Sequence, residues 1–176
     1  MAPTATSPIP EPLSKIDYSA ADTSSESIAR ALRRHPFMET LEPEHIDRLS
    51  TVCVRRWIPE GETLYIEGRR ANRFYLLEQG RVAIEAFDHR GNSKRIEERI
   101  AGDVVGWSAL FPPYKCLFDA RVVEPVLAVF LYAAAVREFA ETDPSFASCW
   151  NELVARALNT LRLRGQVALS APPMTR

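Results

Sequence analysis

Glycine punctuates this chain in a way that constrains its fold more than any other feature. Between Cys53 and Leu131 the sequence breaks into short runs: "CVRRWIPEG", "ETLYIEG", "NRFYLLEQG", "RVAIEAFDHRGNSKRIEERIAG" and "DVVG", and then the longer "LFDARVVEPVLAVFLY". Each run has the length and the β-branched and aromatic content of a strand, and glycine supplies the turn conformations between them. In "RVAIEAF" Val82, Ile84 and Ala86 alternate with Ala83, Glu85 and Phe87. The polar turn "DHRGN" follows, then "SKRIEERI", so the pair is expected to form a hairpin. Many short strands with regular turn signals imply a barrel or sandwich.

Helices are expected on both sides. "SESIARALRR" places Ile28, Ala31 and Leu32 at helical spacing after Ser25. In "LEPEHIDRLSTV" Pro43 suits a first turn, Glu42 and Glu44 suit the positive end, and Ile46 and Leu49 share a face. After the strands come "AAAVREFAETD" and a longer helix from Pro144 to about Arg164, where Gly165 weakens the pattern. The fold class is therefore mainly β with flanking helices: a β-roll, jelly-roll-like and double-stranded, framed by N-terminal helices and a long C-terminal helix. The expected division is a flexible tail at 1–25, rich in Pro, Ser, Thr and Ala, N-terminal helices at 26–52, the roll at 53–131, C-terminal helices at 132–170 and a tail at 171–176.

Composition narrows the function. In 176 residues, 22 basic side chains face 23 acidic ones, so no global field recruits nucleic acid or an anionic membrane. Cys53, Cys116 and Cys149 are widely spaced and form no metal-binding or disulfide pattern. With no leader-like start and no long apolar run, a cytoplasmic protein off the membrane is expected. His35, His45 and His89 fall in a helix-flanking segment, a helix and a turn, and no nucleophile-base set or phosphate loop can be assembled. Enzymatic activity is not expected.

The residues resemble the cyclic nucleotide-binding domain family, shared by catabolite activator-type regulators, kinase regulatory subunits and gated channels. Gly61, Gly68 and Gly80 in "IPEGETLYIEGRRANRFYLLEQGRV" match the family's front half, and Gly102 and Gly106 in "GDVVGWSAL" match the glycines before its phosphate-binding cassette. The similarity covers roughly residues 37 to 165. It implies a short helix after Gly106 whose free N–H groups face an anion. It also implies a ligand site at Gly106, Trp107, Ser108, Ala109, Leu110, Lys115, Cys116 and Leu117. In the family, a Glu directly after the second glycine takes the ribose hydroxyl, and an Arg ten residues after the glycine takes the phosphate. Here those positions hold Trp107 and Cys116, with Lys115 one residue short of the second. The resemblance then leaves three ligand readings open: a weakly bound cyclic nucleotide, another small anion or an apolar-rimmed ligand, and an empty structural cassette. Trp107 is a candidate to fill the sugar pocket.

Simpler readings stand beside these. Trp107, Phe111, Pro112, Pro113 and Tyr114 suit an apolar loop closing over its own core. Cys116 beside Lys115 is a candidate redox thiol. Asp119 and Arg121 suit a strand's solvated face or a local ion pair. In the last helix Phe146, Trp150, Leu153, Val154, Ala157, Leu158 and Leu161 form one apolar stripe. The family resemblance implies a homodimer through Trp150, Leu153, Ala157 and Leu161; folding back on the roll is the alternative. With no helix-turn-helix module after that helix, the expectation is no DNA contact and action through an unidentified partner protein. The competing expectation is a dimerisation or docking module that has lost nucleotide binding.

Overall fold

The computed structural model describes residues 20–87 and 91–170, with side chains through residue 159. The chain runs β1 (Ala21–Asp22), α1 (Ser25–Arg34), α2 (Pro43–Ser50), β2 (Cys53–Ile58), β3 (Thr63–Tyr65), β4 (Arg73–Phe87), β5 (Ser93–Ile100), β6 (Val104–Val105), β7 (Asp119–Tyr132), α3 (Ala133–Thr142) and α4 (Pro144–Ser170). Single 3-10 turns occupy Pro36–Met38 and Trp107–Ala109. The seven strands form one antiparallel sheet in the order β1-β2-β7-β4-β5, with β3 also on β7 and β6 also on β4. This is the expected roll between helices.

The expected hairpin is β4 with β5, from Arg81 opposite Ile100 to Phe87 opposite Ser93. Two long strands, β4 and β7, pair with each other and between them with every other strand but β1, which pairs with β2. Their pairing shifts register around Gln79 to Val82, where Gly80 faces Pro125. Gly80 has φ +85, and a Cβ there would lie 2.1 Å from the Pro125 carbonyl oxygen. Pro125 has no N–H to donate to the ladder, so it is tolerated inside β7 only at such an irregularity. The kink turns one sheet into a roll.

Alternation on β4 feeds two cores. Phe74 and Leu76 pair with Leu131 and Val129 and face the helices, where Ile28, Leu32, Phe146 and Trp150 complete one cluster. Tyr75 and Leu77 pair with Phe130 and Ala128 and face the roll interior with Val82, Val105 and Val122. Each large side chain fully buried this way contributes about 1.5–3 kcal/mol. The central strands therefore read as nearly continuous apolar runs.

Several expectations are corrected. The segment expected as tail is ordered by Ala21, whose strand pairs Ala21 with Arg56 and Asp22 with Arg55, and the cap of α1 is Ser24. The rest of that tail, residues 1–19, and the tail at 171–176 lie outside the described residues. α4 runs through Gly165 to Ser170, since one helical glycine costs only about 1 kcal/mol against alanine. Phe146, Trp150, Leu153 and Val154 are buried in their own chain, so the first half of the stripe folds back on the roll. Trp150 and Leu153 therefore present no free surface to a twin. Ala157 is half-buried and Leu158 39% exposed, while the side chain of Leu161 lies outside the described residues. Among the described residues no helix is long and apolar enough to cross a membrane.

Candidate ligand site

The site begins at Gly106, whose left-handed backbone (φ 95) ends β6 and starts the cassette. A Cβ there would lie 2.7 Å from the Arg73 carbonyl oxygen, so β4 holds the turn closed. The expected short helix is a single 3-10 turn, Trp107–Ala109, with no side-chain cap. A three-residue turn has little dipole to offer an anion. Trp107 does not simply fill the roll: its ring packs edge-on to Phe37 at 5.4 Å and against the helix-side core. Apolar surface under the helices is the stronger draw for an indole. Its Nε1–H is buried without a hydrogen-bond partner among the described residues.

The cassette lines two adjoining cavities. The larger, of about 190 Å³, takes Gly106, Trp107, Ser108 and Leu117 from the expected site. Across from them stand Tyr65, Ile84, Ile96, Arg99 and Phe118. The smaller, of about 50 Å³, takes Gly106, Ser108 and Cys116 with Tyr65, Arg70 and Tyr75. Burial, before the neighbouring Cys116, pushes the Tyr65 phenol well above its usual range, although the Gly106 amide and Arg99 act the other way. Tyr65 is thus a neutral hydroxyl at the cassette's turn. A third cavity of about 330 Å³ lies outside the roll, beneath α4, between Phe37, Leu153 and Ala157; it shares Trp107 and Arg99 with the inner one. The inner cavity is the better candidate because four cassette residues converge on it.

The remaining expected residues go elsewhere. Ala109 is fully buried in a small cluster with Ala71, Cys116 and Ala133, and Leu110 packs on the helix-side core. Lys115 is exposed and lines an outer depression with Arg70, Pro113 and Tyr114, away from the inner cavity. Cys116 is 5% exposed, and burial, then Asp119, pushes its thiol up. It stays protonated, which is the opposite of an activated redox thiol. Asp119 is buried rather than solvated and accepts the Glu67 N–H at 2.7 Å, whereas Arg121 makes the expected local pair with Glu85 at 3.4 Å. Three backbone bonds clasp the cassette loop to the loop before β4: Gly68 N–H to Cys116 O, Cys116 N–H to Arg69 O, and Ala71 N–H to Tyr114 O, all 2.8–2.9 Å. That clasp holds the cassette loop at the wall of the smaller cavity, which Ala71 and Cys116 line.

Arg99 is the site residue that sequence reading missed. In "SKRIEERI" it looks like one charge among many on an exposed edge strand, and no local pattern marks it. The fold turns it inward: only 9% of Arg99 is exposed, while Ile96 and Ile100 in the same strand are 49% and 53% exposed. Its Nη2 donates to Glu97 Oε2 at 2.7 Å, the one hydrogen bond its guanidinium makes among the described residues. A nearly buried guanidinium with donors to spare is a strong anchor for an anion.

Residues 55–143 match the cyclic nucleotide-binding domain family. The chain belongs to that family. Among solved structures, the domain resembles a putative cyclic nucleotide-binding protein from Geobacter metallireducens, with TM-score 0.66 and 24% identity over 75% of this chain and 96% of that one. It also resembles the regulatory subunit of a cAMP-independent protein kinase A from Trypanosoma brucei, with TM-score 0.57 and 19% identity over 73% of this chain and 51% of that one. At those identities both likenesses speak to the fold alone. An uncharacterised NTE family protein of Mycobacterium tuberculosis is 25% identical over 133 residues, 75% of this chain. The cyclic nucleotide-binding domain described here spans 22% of that relative's length.

Proposed function

We propose that the domain is a non-catalytic regulatory module that senses a small anionic ligand in the 190 Å³ cavity and acts through a partner protein. Arg99 carries this reading: the position next to Gly106 that holds the family's ribose carboxylate is Trp107, and the charges lining the cavity are instead a nearly buried cation, Arg99, and its more exposed partner Glu97. A wall that offers donors selects an acceptor. Arg70 lines the 50 Å³ cavity and the outer depression but not the 190 Å³ cavity, and it is itself exposed, so water screens its charge far more. Two routes lead outward from the cassette. Trp107 contacts Phe37, which contacts Trp150 of α4 at 5.9 Å. Arg137 of α3 donates to the Ala109 carbonyl at 3.3 Å and lies 4.8 Å over the Tyr114 ring. A ligand that tightens the cassette would shift both C-terminal helices.

Calorimetry tests the ligand side. Without the family's two polar anchors, cyclic AMP and cyclic GMP bind no tighter than about 10 μM. Sub-micromolar affinity for either would overturn the reading. A second reading, a dimerisation or docking module, is favoured by Leu158, which stays exposed beyond the buried part of the stripe. Light scattering decides it: a monomer has the 19.8 kDa of one chain, and a pair twice that.

A further inference from the structure

We infer that the ligand is a small amphipathic monocarboxylate, with an apolar body against the rim of the roll and its carboxylate on Arg99; this rests on reading the inner cavity as the sensing site. Size comes first. Pockets for drug-sized molecules run to roughly 300–1,000 Å³, and the cavity at Gly106 measures about 190 Å³. That space suits a body of one ring or a branched chain, smaller than a nucleotide.

The lining sets the chemistry. Ile96, Leu117 and Phe118 are 49%, 65% and 38% exposed, and all three line the same cavity, whose inner wall adds Ile84 and Val105. Three large apolar side chains left partly in water around one opening form a surface that a hydrophobic body would cover. The polar side chains of the lining are few: Arg99 with its partner Glu97, Ser108 and the neutral Tyr65. All but Glu97 can donate, and they suit a carboxylate.

The charge balance favours one negative charge over several. Glu97 also lines the cavity and already pairs with Arg99, so a phosphate dianion there would meet one cation and one carboxylate at once. A monocarboxylate asks less: it needs part of the guanidinium fork, while Glu97, itself 43% exposed, can turn to water.

Calorimetry on the full chain with phenylacetate, its neutral isostere phenylacetamide, inorganic phosphate and cyclic AMP tests this. Phenylacetate should bind at least ~tenfold tighter than phenylacetamide, the difference expected for a charge-assisted bond. Arg99→Leu should erase that difference and leave phenylacetamide unchanged. Should Arg99→Leu not fold, Phe118→Ser, at a partly exposed side chain, should weaken both aryl probes about fivefold through lost apolar contact. Equal binding of acid and amide by the parent chain overturns the carboxylate. Binding of phosphate or cyclic AMP without phenylacetate overturns the ligand class and leaves anion sensing standing. No binding of any probe at millimolar concentration overturns both.

Discussion

The kink of the roll and the cassette loop are both built around a glycine with positive φ, yet they constrain the chain differently. At Gly80 the partner is the backbone of Pro125 in the neighbouring long strand, and nothing but hydrogen fits between them. At the cassette, Gly106 is confined too, though less tightly, with a Cβ 2.7 Å from the Arg73 carbonyl oxygen, and the eleven residues that follow are held by side-chain choice and by the clasp to residues 68–71. Frame geometry tolerates almost no substitution. Cassette chemistry can be rewritten within it, as Trp107 and Cys116 show. The polarity of the cassette can change while the fold beneath it stays put.

The largest effect is expected at the kink. Gly80→Ala combines a left-handed backbone with a Cβ 2.1 Å from the Pro125 carbonyl oxygen, so β4 and β7 must part. We expect loss of cooperative folding, or destabilisation well above about 4 kcal/mol, the range reserved for severe core defects. Gly61 has the same φ of +85 with nothing within 4 Å of an added Cβ. Gly61→Ala should cost only the left-handed penalty of about 1–2 kcal/mol. Chemical denaturation of both variants checks it; equal losses would mean that conformation, not close approach, is what the kink demands.

A smaller effect is expected at Trp107, where the cassette leans on the helices. The ring is partly buried against Phe37, and full truncation of a buried Trp costs about 3–5 kcal/mol. Trp107→Ala should therefore cost about 2 kcal/mol, discounted for partial burial and for the unpartnered indole N–H that it removes. Amide exchange should rise at Pro36–Met38 and in the first turns of α4, with β4 and β7 unchanged. Faster exchange in those strands instead would place Trp107 in the frame rather than the cassette.

Smaller again is a pH effect at His35, beside that same contact. His35 is 4% exposed, its Nδ1 accepts the Phe37 N–H at 3.2 Å, and burial holds its pKa below the usual 6.5. The unfolded chain therefore binds the proton first. Stability from neutral His35 is complete above about pH 6.5 and falls as pH drops toward the lowered native value. His35→Asn keeps an acceptor without a titration, so the stability gap between parent and variant should narrow or reverse from pH 7.5 to pH 5.5. A gap that does not change with pH would show that His35 does not titrate on unfolding.

Legibility followed the same division. The glycines, the β4–β5 hairpin, Pro43 at the start of α2 and the apolar stripe of α4 could be read because each states a local rule about turns, caps or periodicity. Trp107 and Cys116 were legible as departures from the family's anchors, but their destinations were not, because whether an indole enters the roll or packs on Phe37 depends on helices over fifty residues away in sequence. Arg99 was illegible for a stronger reason. Hydrophobic patterning would turn Ile96 and Ile100 inward, and the fold buries the arginine between them instead. Short strands such as Ala21–Asp22 carry too few residues for any period to show.

The smallest expected effect separates the two cations that the sequence and the structure nominate. Lys115 stands one residue from the family's phosphate-binding position, and by sequence it is the natural substitute. In the fold it is exposed, its backbone bridges Arg70, and it shares an outer depression with Pro113 and Tyr114. A charge in water on the outer depression is screened, and exposed charges of this kind contribute little. Lys115→Ala should leave stability within about 0.5 kcal/mol of the parent. It should change phenylacetate affinity less than about twofold at physiological ionic strength. A loss of tenfold or more would move the anion from the roll interior to the outer depression, and the cassette would then keep its family's polarity after all, with lysine standing in for arginine.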